Sequence, residues 1–200
     1  MIRTLVPAAA LLALLTGCPL PQPLPEYPAG TVTPPRIVMD GISPEGTYVR
    51  VPASCSGAKP SYTLAAALVD NIEDESVTAR WFVDYDPLSA ATSRPEQEDI
   101  VPPAGDGAAD PLRREVPSFA FVPYDYSPTV GATSSGPPYD DPNVIHVVEL
   151  VVSNNFDPTG DPAGSGALLP YRSPATGFET QAFRWVFVLV LESTTVPCPL

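Results

Sequence analysis

Between positions 77 and 86 the chain reads VTARWFVDYD, with Val77, Ala79, Trp81, Val83 and Tyr85 in one phase and Thr78, Arg80, Asp84 and Asp86 in the other. Successive side chains of a strand point to opposite faces, so this run predicts a strand with one buried face. Only Phe82 breaks the alternation. Stretches rich in Val, Phe, Tyr and Trp recur between turn-forming residues at 36–41, 47–52, 61–70, 77–86, 116–124, 143–153 and 178–192. That spacing predicts an all-β sandwich of about seven strands. NVIHVVELVVS and AFRWVFVLVLE, within the last two stretches, are apolar in both phases over much of their length, which suits central strands of a sheet. One stretch is ambiguous: YTLAAALVDNI also places Leu64, Ala65, Leu68, Val69 and Ile72 on a helical stripe, and periodicity alone leaves both readings open.

Composition sharpens this picture. The 28 prolines among 200 residues far exceed the ~5% of average usage and argue against long helices, where an interior proline costs about 3 kcal/mol. Residues 19–35, PLPQPLPEYPAGTVTPP, suit an extended polyproline-like tether, reaching up to roughly 50 Å at ~3.1 Å per residue. The globular domain is expected over residues 36–200. Ten basic against 23 acidic side chains leave a net charge of −13. Such a surface repels phosphate backbones, which excludes nucleic acid as a partner and favours cationic groups or divalent ions.

The N-terminus carries the most specific motif. Arg3 precedes an apolar run at positions 5–15, broken by Pro7 and too short to cross ~30 Å of hydrocarbon. It has the layout of an export signal covering residues 1–17. Leu15-Thr16-Gly17-Cys18 resembles the lipobox of bacterial lipoproteins. The resemblance implies that Cys18 becomes the first mature residue, carrying a thioether-linked diacylglyceryl group and an acylated amine, with palmitate-like chains. Two or three chains anchor a domain stably where one does not, at about 0.8 kcal/mol per buried methylene. Loss of Arg3 with the signal would take the net charge to about −14. Pro19 in place of an Asp implies, by the same resemblance, the outer membrane. With Cys18 lipidated, Cys55 and Cys198 remain as an even pair in an oxidising compartment, where a disulfide is the natural expectation.

The join LVDNIEDESVTARWF resembles the B–C hairpin of bacterial immunoglobulin-like and cadherin-like modules, on Asp70, Asp74 and Trp81. The glycine often found in that turn is Glu75 here. The resemblance implies an immunoglobulin-like antiparallel β-sandwich and favours the strand reading of YTLAAALV. It also bears on the disulfide. Five predicted strands separate Cys55 from Cys198, so strict alternation would leave them a strand length apart, far beyond the ~7 Å a disulfide tolerates. The immunoglobulin order inserts a crossing between its strands C and E, which would fall in residues 87–115 and bring both cysteines to one end.

Candidate chemistry is sparse. The sole histidine, His146, lies inside a predicted strand, with no Gly-x-Ser-x-Gly elbow in the chain. Asp84, Asp86, Asp125 and Glu149 show no spacing that singles out an acid and a base. Calcium wants six to eight oxygens; Asp70 and Asp74 in the acidic turn, or Asp157 and Asp161 in NNFDPTGDPAGSG, are its candidates, although neither stretch matches the Asp-x-Asp-x-Asp-Gly loop. The long loop after position 124 groups Tyr124, Tyr126 and Tyr139 with Gly, Ser and Asp, a composition suited to contacting sugars or proteins. The expectation is a lipid-anchored protein of the bacterial envelope that acts as a binding or assembly module, with the membrane and an envelope protein or glycan as partners. Its alternatives are a carboxylate hydrolase of envelope polymers and a calcium-stabilised adhesion module.

Overall fold

In the computed structural model, which describes residues 33–52, 59–89, 92–126, 145–157 and 171–190, the alternating pattern is realised as two packed sheets. The strands are β1 (Arg36–Ser43), β2 (Tyr48–Pro52), β3 (Tyr62–Val69), β4 (Val77–Val83), β5 (Gln97–Val101), β6 (Arg113–Phe121), β7 (Ile145–Ser153) and β8 (Gln181–Val190). One sheet has the order β1-β3-β6 and the other β2-β8-β7-β4-β5. This is the expected all-β, immunoglobulin-like sandwich, and the ambiguous YTLAAALV is a strand. The signal, the tether up to residue 32, all three cysteines, Tyr139 and Asp161 lie outside the described residues.

Three details differ from the sequence reading. β5 lies inside the stretch read as a loop at 87–115: QEDIV is short and mostly polar, because an edge strand buries little beyond Val101. It pairs antiparallel with β4, after which the chain enters β6 in the other sheet, so the crossing falls where the immunoglobulin order requires it. β2 and β8 run parallel, with Tyr48 opposite Val186 and Pro52 opposite Val190, within an otherwise antiparallel sandwich. β7 is buried on both faces as expected, whereas β8 alternates, with Trp185, Phe187 and Leu189 inward and the residues between them half-buried.

The core lies between the sheets. Trp81 of β4 stacks on Phe119 of β6 at 5.5 Å and on Trp185 of β8 at 5.7 Å, and Phe187 meets Phe121 at 4.6 Å. Burying an indole removes on the order of 200 Å² from water, worth about 5 kcal/mol. The Trp185 ring N–H donates to the Pro44 carbonyl at 3.1 Å, which satisfies its polar edge where the chain passes from one sheet to the other. Phe82, the residue that breaks the alternation, faces away from this core. With Val151 and Phe156 it forms a second apolar cluster on the outward side of the five-stranded sheet. Tyr85 joins that cluster rather than the inward face, because Asp84 at φ +48° ends the strand and reverses the phase.

Gly41 fixes how closely β1 approaches β3. A Cβ there would lie 2.4 Å from the Ala67 Cβ and 2.8 Å from its amide nitrogen. Ala67 is itself fully buried and cannot yield. Gly41→Ala is therefore expected to destabilise the fold by about 1–3 kcal/mol, read as a lower urea midpoint at an unchanged slope.

Candidate functional site

The outward face of the five-stranded sheet carries a groove of ≈ 570 Å³. Strand alternation builds it: with Val148, Leu150 and Val152 of β7 in the core, Ile145, Val147, Glu149 and Val151 must face out. Glu149 is the centre of its charge. Its side chain is only 4% exposed, lies opposite Arg184 in the register and accepts from that guanidinium's Nε–H. Arg172 reaches the other carboxylate oxygen at 3.2 Å while its guanidinium lies 4.6 Å from the Tyr85 ring centre. Burial raises the Tyr85 phenol above its usual range, the nearby Arg172 opposes this, and Glu149 and Asp86 reinforce it.

At one end of the groove the Asp84 carboxylate clamps the start of β7. His146 Nδ1–H donates to it at 2.7 Å and the Val147 N–H at 2.8 Å, while the Asp84 N–H donates to the Val147 carbonyl at 2.8 Å. Asp84 thus extends the β4–β7 pairing past the last ladder residue. His146 is buried, with Phe121 at 6.0 Å and Tyr126 at 6.3 Å between ring centres. Among the described residues no Ser, Thr or Cys side chain is hydrogen-bonded to it. Asp125 pairs with Lys59 at 2.6 Å, and Asp86 accepts the Leu88 N–H at 2.9 Å. All four acids considered for general acid–base work are engaged in holding the fold.

The acidic turn after β3 is organised by a cation from the protein itself. Arg114 of β6, in phase with inward-facing Val116, is 2% exposed at its side chain. Its guanidinium donates to the carbonyls of Ile72 at 2.6 Å, Glu73 at 3.3 Å and also Glu75, and lies 3.5 Å from the fully buried Asp70 carboxylate. Asp70 also accepts from Asn154 at 3.1 Å and from the Ile72 N–H at 3.3 Å. Asp74 instead borders a separate acidic hollow with Glu73 and Asp106, and the Asp157 N–H donates to the Ser173 carbonyl at 3.0 Å. Asp70 and Asp74 of the turn thus have different surroundings, and Asp161 of the loop lies outside the described residues. Among the described residues no group of three or more His, Cys, Asp or Glu side chains is placed to hold a metal ion.

The tyrosines correct the reading of a contact loop in part. Tyr124 is fully buried rather than exposed, since the chain turns inward through Pro123–Asp125, and its hydroxyl donates to the Pro52 carbonyl at 2.5 Å. Tyr126 is half-buried, 5.2 Å from Phe121. Burial pushes both phenols up to about 12, reinforced by Tyr62 for Tyr124 and by Glu96, Asp125 and Asp84 for Tyr126. The pairing of Glu149 with Arg184 had a sequence signal, one charge flanked by apolar residues on both sides in each of two stretches read as central; Arg172, arriving from a loop, had none.

No protein-family model matches the chain, and no curated protein matches it. Among solved structures it is similar to the CooA pilin subunit from enterotoxigenic Escherichia coli at 9% sequence identity and a TM-score of 0.37, over 80% of this chain and 100% of that one.

Two outcomes follow from the buried polar groups. Arg114→Met leaves Asp70 buried without its cation and is expected to cost about 3–5 kcal/mol, with much of the loss recovered in the Arg114→Met/Asp70→Leu double variant, as measured by urea denaturation. For the phenols, the unfolded chain ionises first as pH rises past about 10, so their contribution is present below that pH and lost between 10 and about 12. A stability profile by denaturant melts should fall across that window, and less steeply in Tyr124→Phe.

Proposed function

We propose that this chain is a lipid-anchored protein of the bacterial envelope whose sandwich domain works by binding or assembly and not by catalysis. The observation that carries the non-catalytic part is the commitment of Asp84, Asp86, Asp125 and Glu149 to cations and main-chain donors within the fold. A general acid or base must contact substrate, and the Glu149 carboxylate is turned instead to Arg172 and Arg184. The anchor rests on Leu15-Thr16-Gly17-Cys18. Lipidation at Cys18 and the proline-rich tether would hold the sandwich at the membrane surface, with the outer membrane the favoured address and an envelope protein or glycan the partner.

A Cys55–Cys198 disulfide belongs to the same reading. Pro52 and Val190 are register partners at one end of the parallel β2–β8 pair, three residues before Cys55 and eight before Cys198. At up to ~3.5 Å per residue both segments have the reach to meet. In the chain-entropy model closing so long a loop contributes about 4–5 kcal/mol.

The test is cross-linking in intact envelopes followed by mass spectrometry of the captured chain. A reproducible covalent partner is expected, together with an N-terminal peptide bearing acyl chains on Cys18, and Cys18→Ser should move the protein from the membrane to the soluble fraction. Hydrolysis of envelope polymers by the purified protein, abolished in Glu149→Gln, would overturn the reading. Non-reducing peptide mapping should recover Cys55 and Cys198 in one linked pair, and reduction should lower the thermal midpoint.

A further inference from the structure

The groove on the outward face of the five-stranded sheet holds Glu149 between two cations, and one of them has donors left over. Arg184 gives its Nε–H to Glu149, while its side chain is 59% exposed. Among the described residues its two terminal nitrogens have no partner. Arg172 is more committed: it meets the second Glu149 oxygen at 3.2 Å, lies over the Tyr85 ring and is 27% exposed. The bond at Nε restrains the Arg184 guanidinium, so its outer edge is a planar fork of the shape that a carboxylate accepts.

The carboxylates of the groove lie further along. Phe82 is opposite Glu149, and the Asp84 N–H reaches the Val147 carbonyl, so the chain leaves β4 alongside Val147. Asp84 is occupied by His146 and the Val147 N–H. Asp86 also lines the groove, is half-buried and uses one carboxylate oxygen for the Leu88 N–H. Its other oxygen has no partner among the described residues. Val147 and Val186, which are register partners, make an aliphatic floor together with Ile145, itself 51% exposed. From Glu149 to Ile145 this floor runs about 13 Å at ~3.3 Å per residue.

These features select among ligands. Asp84, Asp86 and Glu149 against Arg172 and Arg184 leave a small negative balance, which repels a polyanion, while the guanidinium groups repel a polycation. A molecule with one charge of each sign meets neither objection. Tyr85, the aromatic ring of the lining, is already engaged by Arg172 and by Phe82 at 5.2 Å, so the open apolar surface is aliphatic and suits aliphatic side chains better than a sugar. Three extended residues span about 10 Å, which carries two charged ends to the two ends of the floor within a space of ≈ 570 Å³.

We propose that this groove binds a short peptide with both ends free, its terminal carboxylate on the Arg184 fork, its aliphatic side chains on Val147, Val186 and Ile145, and its ammonium group at Asp86. The proposal rests on the binding reading above and names a ligand for it. The aliphatic floor would supply affinity, and the two charged ends would supply selectivity and direction.

The probe is the tripeptide Val-Ala-Val with both ends free, titrated into the full mature chain by calorimetry beside its C-terminal amide and its N-acetyl form. The free peptide should bind saturably below about 1 mM, the amide about tenfold or more weakly, and the acetylated form about fivefold or more weakly. Each preference should vanish in its own variant alone. Arg184→Gln should bind free peptide and amide alike yet still prefer the free amine. Asp86→Asn, which keeps an oxygen for the Leu88 N–H, should bind free and acetylated peptide alike yet still prefer the carboxylate. Arg184→Gln leaves Glu149 to Arg172, so a lowered thermal midpoint there would pass the decision to Asp86→Asn. No saturable binding, equal binding of the three forms, or preferences indifferent to the variants would overturn the proposal. So would tighter binding of the neutral disaccharide diacetylchitobiose, since a glycan would then be the occupant. Failure of the peptide with envelope cross-links still forming would place binding elsewhere and leave the wider reading standing; absence of cross-links in the unaltered chain would remove that reading itself.

Discussion

Trp81 stacks at once on Phe119 of the opposite sheet and on Trp185 of its own, and this contact locks the two layers together. Everything on the outward face follows from it. With the indole pointing inward, its neighbours Arg80 and Phe82 must point outward. Phe82 then needs cover, which it finds in Val151 and Phe156, while Arg80 lies 4.1 Å from the Phe156 ring centre and donates to the Tyr171 carbonyl at 2.6 Å. The loop residues Phe156 and Pro174 form a bridge that keeps this cover in place. The sandwich thus has a main core and a small second one on its larger sheet.

The second constraint is electrostatic. In a chain with a net charge of −13, Arg50, Arg80, Arg94, Arg172 and Arg184, half of the ten basic side chains, lie on or over the outward side of the five-stranded sheet. Arg172 and Arg184 permit Glu149 to be buried at the sheet centre, and on the opposite sheet Arg114 does the same for Asp70. A buried carboxylate without such a partner would be strongly destabilising, so the few cations are spent where acids enter the interior. The acidic excess is left to the turns.

Most of the strands were readable because alternation of large apolar side chains is itself the folding signal. VTARWFVDYD identified β4 and its inward set up to Val83, and the failure at Tyr85 came from one backbone angle at Asp84. β5 was missed because an edge strand with one buried valine leaves almost no periodic trace. Tyr124 was read as a surface group because its neighbours are turn formers; the turn carries it inward instead, onto the Pro52 carbonyl. Arg114 was legible in principle, since it shares the phase of Val116, but a charge in a buried phase is intelligible only once its acceptors are known.

The sequence by itself determined the fold class, the inward face of the main strands and the polar, proline-rich character of what joins them, since these depend on side-chain period and local backbone preference. Only the tertiary structure decided which charges meet and that β2 runs parallel to β8. Those outcomes depend on contacts such as His146 with Asp84 or Arg114 with Asp70, between residues 62 and 44 positions apart. The energy of such a contact depends on distance and burial, and neither quantity exists until the sheets have packed.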